Sequence, residues 1–103
     1  QDYWKSLVDG VSGAAPITNF DASNFKTQFA CELKDFEVTD FLHKKAARKM
    51  DPFCQYAMVV ADEAINDSLL NIEEIDVDRA GVIWGSGIGG MKTFQQEASD
   101  FAT

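Results

Sequence analysis

The strongest hydrophobic pattern lies in the middle of the chain, where apolar residues recur every three or four positions from Phe53 to Ile65. Such spacing places them along one face of a helix. Asp51 precedes Pro52, which puts an N-cap acceptor ahead of a proline at the first helical position. The pattern therefore predicts a helix down to about Ser68, and the alanines in its stripe favour close packing of another element.

Two further helices are predicted nearer the ends. The segment over residues 2–9 has helical spacing and is followed by Gly10, a residue typical of helix C-termini. A final helix is indicated by Met91, Phe94 and Ala98, which again lie three and four residues apart.

Two segments instead read as strands. Residues 28–36 alternate apolar and polar side chains, and residues 79–85 form a nearly continuous apolar run of the kind found in strands buried on both faces. Residues 37–42 fit one helical turn, and residues 71–78 fit a polar connection. Helices and strands in this mixture predict an α/β fold built in layers.

Charge and cysteine content narrow the possible functions. The net charge is −8 and the isoelectric point is about 4.4, which disfavours binding to nucleic acid or to anionic membranes. No apolar run approaches the ~20 residues needed to span a bilayer, so a cytoplasmic protein is expected. Cys31 and Cys54 lack metal-ligand spacing and are interpreted as buried free thiols, with a single disulfide as the alternative.

The glycines at Gly85, Gly87 and Gly90 form the pattern G-x-G-x-x-G. A dinucleotide-binding turn would also require an acidic residue about 20 positions further on, at the end of a second strand. The only later acids, Glu97 and Asp100, fall in the predicted final helix. Nucleotide binding is therefore disfavoured, and we expect these glycines to allow close packing or positive φ at a strand-to-helix turn.

A basic cluster interrupts this acidic chain at residues 43–51, "HKKAARKMD". On a helical turn, Lys45, Arg48 and Lys49 are related as i, i+3 and i+4 and point the same way, which is unfavourable for like charges. The cluster is either a solvated surface or an electropositive patch that steers an acidic partner. His43 is the only histidine, and we assign it to the surface of this cluster, with neither a catalytic nor a metal-binding role.

Four segments in fixed order, "GVSGAAPITNFDASNFKTQFA", "KKAARKMDPFCQYA", "ADEAINDS" and "DRAGVIWGSGIGG", resemble the N-terminal part of the β-ketoacyl-[acyl-carrier-protein] synthases. These are the condensing enzymes of dissociated fatty-acid synthesis, and their long-chain elongating branch is the nearest match. The resemblance implies an α/β chain that forms part of the N-terminal half of a thiolase-like α-β-α-β-α layered fold. It also implies a homodimer, acyl carrier protein as partner, and no cofactor beyond the phosphopantetheine that carries the substrates.

Individual positions take roles from the same resemblance. Lys45, Arg48 and Lys49 match the patch that docks the acidic recognition helix of acyl carrier protein, and Ile88 matches the residue that gates the acyl pocket. Leu69 stands where the family usually has glycine, and Ala46 stands where it usually has an acid.

The family's catalytic cysteine and two histidines match nothing in this sequence, and neither Cys31 nor Cys54 stands in the small-residue turn that carries the nucleophile. No catalytic residue is therefore assigned. Residues 1–103 are expected to be a partial ketoacyl-synthase domain that lacks the opening strand and is inactive alone. A polyketide-type ketosynthase and a truncated carrier-binding module are the alternatives.

Overall fold

The structure, a computed structural model, describes residues 2–103. The chain is divided into two compact units, Gln1–Phe36 and Glu37–Thr103.

The first unit opens with helix α1, Asp2–Val8. Its end is a hydrogen-bonded turn in which the Gly10 N–H donates to the carbonyl of Leu7 (3.3 Å) and the Val11 N–H donates to the carbonyl of Ser6 (2.9 Å). Gly10 takes a positive φ of 66°, as the left-handed residue of this motif requires. The predicted helix and its glycine end are both confirmed.

The only strands among the described residues form a short antiparallel ribbon in this unit. Strand β1 is Ala15–Pro16 and strand β2 is Phe29–Ala30. The prediction of a strand over residues 28–36 is therefore wrong beyond residue 30. A strand needs a partner for each residue, and the ribbon supplies only two pairs before Asp35, at a φ of 54°, turns the chain.

Glu32, just after β2, ties the ribbon to the loop that follows β1. Its carboxylate accepts hydrogen bonds from the hydroxyl of Thr18 (2.7 Å), the backbone N–H of Thr18 (3.0 Å) and the side-chain amide of Asn19 (2.9 Å). These donors, the Thr18 hydroxyl first, hold the pKa of Glu32 below its ordinary value. Further along this loop, the rings of Phe20 and Phe25 pack edge to face, with centroids 5.6 Å apart.

The second unit is mainly helical. Its helices are α2 (Lys44–Ala47), α3 (Pro52–Asp67) and α4 (Met91–Ala102), and two 3₁₀ turns cover Val38–Asp40 and Val77–Arg79. The predicted helical turn within residues 37–42, the central helix and the final helix are all confirmed.

Helix α3 begins and ends as local chemistry dictates. Asp51 is extended (φ −63°, ψ 151°), its carboxylate accepts from the N–H of Phe53, and Pro52 follows at the first helical position. After Ser68, Leu69 takes a positive φ of 55°. This is the left-handed conformation that glycine adopts at many helix ends, so the structure gives a physical meaning to the departure noted at Leu69.

The predicted strand at residues 79–85 is not formed within the described residues. Residues 80–86 have no ladder partner, and Ile83 is fully exposed. The segment instead borders a groove of about 290 Å³ in which Val82 and Trp84 face the small side chains of α3. The small residues of the helical stripe thus admit another element, as expected, although that element is not a strand.

Few side chains are buried among the described residues. Ala22, Ala47 and Val59 are buried, whereas large apolar side chains such as Trp4 and Phe101 lie mostly exposed. These residues alone form helices and one short ribbon, without the stacked layers expected from the resemblance.

Candidate docking patch and glycine turn

The basic cluster lies on helix α2 and the turn that follows it. His43 is the N-cap of α2, where its Nδ1 accepts a hydrogen bond from the backbone N–H of Lys45 (3.3 Å). Successive hydrogen bonds then continue the helical turn as far as the N–H of Met50, which donates to the carbonyl of Ala47. His43 therefore has a local structural role at the exposed start of the cluster.

Lys45, Arg48 and Lys49, called the docking patch from here on, are all exposed. Within residues 2–103, no carboxylate forms an ion pair with any of them. Three like charges on one helical turn destabilise it slightly. The chain has a net charge of −8 and therefore many acidic side chains, but none of those described pairs with these three residues. The cluster is therefore not explained by local stability, and its exposed charge is suited to an acidic partner.

Asp51, at the end of the basic cluster, joins two helices. One carboxylate oxygen, Oδ1, accepts from the N–H of Phe53 (3.4 Å) in the first turn of α3. The other, Oδ2, accepts from both the backbone N–H (2.9 Å) and the hydroxyl (2.8 Å) of Thr93, in the first turn of α4. A carboxylate is favourable at both positions because the N-termini of helices carry unpaired N–H groups and partial positive charge.

The same contacts set the ionisation of Asp51. The N–H of Thr93 acts most strongly, followed by its hydroxyl, and together with the N–H of Phe53 and the charge of Lys92 they hold the pKa of Asp51 below its ordinary value. The carboxylate is therefore charged at neutral pH.

A cleft of about 450 Å³ runs from the docking patch to helix α4. Residues 48–51 form one wall, and Gly90, Thr93 and Phe94 form the other. The structure thus brings two members of the docking patch, Arg48 and Lys49, beside the start of α4.

Residues 85–90, called the glycine turn from here on, lead into α4. Gly90 has a positive φ of 75°, and a Cβ on Gly89 would lie 2.8 Å from Cζ of Phe53. Gly85 and Gly87 lie outside the positive-φ range, and no atom of residues 2–103 other than those of the chain neighbours comes within 4 Å of the Cβ position of either. The expectation of positive φ is therefore confirmed for Gly90, and Gly89, which lies outside the G-x-G-x-x-G pattern, shows close packing. For Gly85 and Gly87 close packing stays a prediction.

Ile88 lies within the glycine turn, two residues before the N-cap of α4, and is 75% exposed. Its assignment as an acyl-pocket gate stays a prediction. Ile88 and the docking patch are separate in the sequence, and the contact between Asp51 and Thr93 links the segments that carry them.

The cysteines are both free, as predicted, but they are less buried than expected. Cys31, the residue after strand β2, is exposed, and Cys54 is half-buried on α3. Among the described residues, no group of His, Cys, Asp and Glu side chains is arranged to hold a metal ion. In the same part of the chain, no helix is long and apolar enough to cross a membrane.

The tie between Asp51 and Thr93 is the main feature that the sequence pattern did not reveal. Asp51 was identified only as a local cap of α3. The hydrogen bonds that cap α4 join residues 42 positions apart. The only sequence signal for them is that the N-cap of α4 is Gly90, which has no side chain to cap the helix, so that the cap must come from elsewhere.

Comparison with known proteins identifies the family of this chain. The model of the β-ketoacyl synthase N-terminal domain matches residues 1–102, so the chain belongs to that family. Similar proteins named 3-oxoacyl-[acyl-carrier-protein] synthase 2 occur in Synechocystis sp. (46% identical over 94% of this chain), Vibrio harveyi (50% over 85%) and Staphylococcus aureus (48% over 89%). The matched region spans 23%, 21% and 23% of those relatives, respectively, so the chain covers less than a quarter of their length.

Proposed function

We propose that the protein carrying this chain is a β-ketoacyl-[acyl-carrier-protein] synthase that elongates acyl chains in dissociated fatty-acid synthesis. The observation that carries the proposal is the similarity of nearly the whole chain, at 46–50% identity, to synthases named for their acyl-carrier-protein substrates. The family model that matches residues 1–102 supports it.

The proposed reaction is a decarboxylative Claisen condensation in two stages. A cysteine thiolate of the complete enzyme attacks the acyl thioester, a new C–S bond forms, and the carrier thiol leaves. Malonyl carrier protein then loses CO₂, and the electron pair of the broken C–C bond attacks the enzyme-bound thioester. The enzyme thiolate is released, and the product is a 3-oxoacyl carrier protein two carbons longer than the starting acyl group.

Within this chain, the proposed contribution is recognition and not bond chemistry. The docking patch meets the acidic helix of acyl carrier protein, a role that its unpaired, exposed charges support. Ile88 gates the acyl pocket, and the glycine turn brings backbone close to that pocket. Neither Cys31 nor Cys54 is proposed as the nucleophile.

In the same proposal, the complete protein is a cytoplasmic homodimer with the thiolase-like layered fold. It takes its substrates on the phosphopantetheine of the carrier protein and uses no other cofactor. The many large apolar side chains exposed on the described residues are consistent with a chain that packs against further layers.

The test is a condensation assay on the complete polypeptide with malonyl carrier protein and a series of acyl carrier proteins of increasing chain length. We expect a 3-oxoacyl carrier protein, detected by intact-protein mass spectrometry, together with release of one CO₂ per turnover. A polyketide-type ketosynthase would instead act on its own pathway's carrier protein with several extensions. Binding of carrier protein without any product would favour the non-catalytic binding module and contradict the proposal.

A further inference from the structure

Asp51 links the docking patch and the glycine turn, to which the proposed function gives separate roles. It follows Lys49 of the docking patch by two residues, and its carboxylate holds the first turn of α4 through Thr93. Helix α4 begins immediately after the glycine turn that carries Ile88. One carboxylate thus connects the segment that meets the carrier protein to the segment that borders the proposed acyl pocket.

The connection has a defined geometry. Two hydrogen bonds of 2.9 and 2.8 Å converge on a single oxygen, Oδ2 of Asp51, and both come from Thr93. Hydrogen bonds to a charged acceptor are shorter and roughly twice as strong as neutral ones. The remaining oxygen, Oδ1, accepts from the N–H of Phe53 at the start of α3. A movement of α3 relative to α4 therefore disturbs the hydrogen bonds of Asp51 to one helix or the other.

A second contact near this carboxylate joins the same segments. Gly89 lies against the ring of Phe53, the residue whose N–H also donates to Asp51. The first turn of α3 therefore contacts the glycine turn directly and contacts α4 through the carboxylate. A rigid, contiguous set of contacts of this kind can carry energetic coupling between two sites.

We propose that Asp51 is a positioning residue that couples the docking patch to the glycine turn, so that carrier protein bound at the patch stabilises the turn bearing Ile88. The inference rests on the proposed docking of carrier protein. Its consequence is that docking and acceptance of the acyl chain are linked events: the turn at the pocket is most ordered when a carrier is in place.

Hydrogen exchange measured by mass spectrometry on the complete synthase tests this coupling, with and without saturating carrier protein whose phosphopantetheine carries no acyl group, so that no acyl transfer occurs during the measurement. We expect exchange over residues 85–93 to slow about fivefold on carrier binding, the lower end of typical coupling between sites. In Asp51→Asn, which keeps the shape but removes the charge, that slowing is expected to disappear while residues 44–50 are still protected.

Three further variants separate positioning from general damage. Asp62→Asn removes a carboxylate elsewhere on α3, where it accepts a hydrogen bond from the Asn66 amide (3.2 Å), and is expected to behave as wild type. Thr93→Ser keeps both donors and is expected to keep the coupling. Thr93→Val removes only the hydroxyl donor and is expected to weaken the coupling; it decides the question should Asp51→Asn fail to fold.

Each contrary result has its own meaning. Slowing over residues 85–93 that persists in Asp51→Asn would mean that carrier protein covers the turn directly, and the inference would be overturned. Protection of residues 44–50 with no change over residues 85–93 in the wild type would overturn it as well, while leaving the docking proposal standing. No protection at either segment would contradict carrier docking at this patch and the inference with it.

Discussion

Leu69 offers a direct test of how this chain ends its longest helix. It lies just after α3 with a φ of 55°, a conformation in which the Cβ of an L-residue crowds the following carbonyl. Its side chain is 90% exposed on the described residues, so little contact within them is lost when it is removed, and comparison with Leu69→Ala corrects for contacts elsewhere in the complete polypeptide. Leu69→Gly is therefore expected to stabilise the protein.

The size of the effect follows from two opposing terms. Relief of the left-handed conformation is worth about 1–2 kcal/mol, whereas the greater freedom of glycine in the unfolded chain costs about 0.4–1 kcal/mol. We expect a net gain of about 0.5–1 kcal/mol in the free energy of unfolding.

Urea denaturation of the complete polypeptide measures this difference as a higher midpoint with an unchanged slope. Leu69→Ala is the matched control, because it shortens the exposed side chain but keeps the Cβ that causes the crowding; its change is expected to stay within about 0.5 kcal/mol. If Leu69→Gly is no more stable than Leu69→Ala, the conformational reasoning is wrong.

Three other predictions concern the glycine turn and its contacts. Gly89→Ala places a Cβ 2.8 Å from the ring of the half-buried Phe53 and is expected to lower the free energy of unfolding by about 1 kcal/mol, the low end for overpacking, because the ring can shift; a loss that remains when Phe53 is also replaced by Leu would exclude this clash as the cause. Ile88→Phe is expected to reduce elongation of long acyl chains while sparing short ones, and an unchanged product profile would refute its role as a gate. Because the pKa of Asp51 is lowered on folding, its contribution to stability is present above the unfolded pKa of about 3.9 and is lost as pH falls through the folded pKa. Asp51→Asn should therefore flatten the acid side of the stability profile, and parallel profiles would contradict the assigned contacts.

Local signals predicted the helices well. The order Asp51, Pro52 and a spaced apolar stripe fixes the start of α3 within its own first turn, and Gly10 fixes the end of α1. Each of these features depends on residues within about one helical turn, and the structure confirms both.

Features that depend on distant partners were predicted poorly. Residues 28–36 and 79–85 have strand-like patterns, but a strand forms only where another strand lies beside it, and the described residues supply one short partner for the first and none for the second. The tie between Asp51 and Thr93 spans 42 positions, so no local pattern encodes it.

The glycine pattern shows the same limit on a smaller scale. The spacing predicted a role for Gly85, Gly87 and Gly90. The closest packing occurs instead at Gly89, and the spacing did not reveal it because its neighbour Phe53 is remote in sequence. The basic cluster, in contrast, was predicted from spacing and charge within one helical turn, and Lys45, Arg48 and Lys49 are exposed and form no ion pairs in residues 2–103. Their role in docking came from the family resemblance and stays a prediction.

Charge reversal on the docking patch shows whether that patch recognises acyl carrier protein. The measurement compares kcat/KM of the complete enzyme and of its Lys45→Glu, Arg48→Glu double variant on acyl carrier protein and on a small acyl thioester, at low and high salt. We expect the variant to lose about tenfold or more on carrier protein at low salt, with the loss shrinking as salt rises, because exposed charges act mainly through encounter. Activity on the small thioester should be unchanged, and an equal loss on both substrates would contradict recognition of carrier protein by this patch.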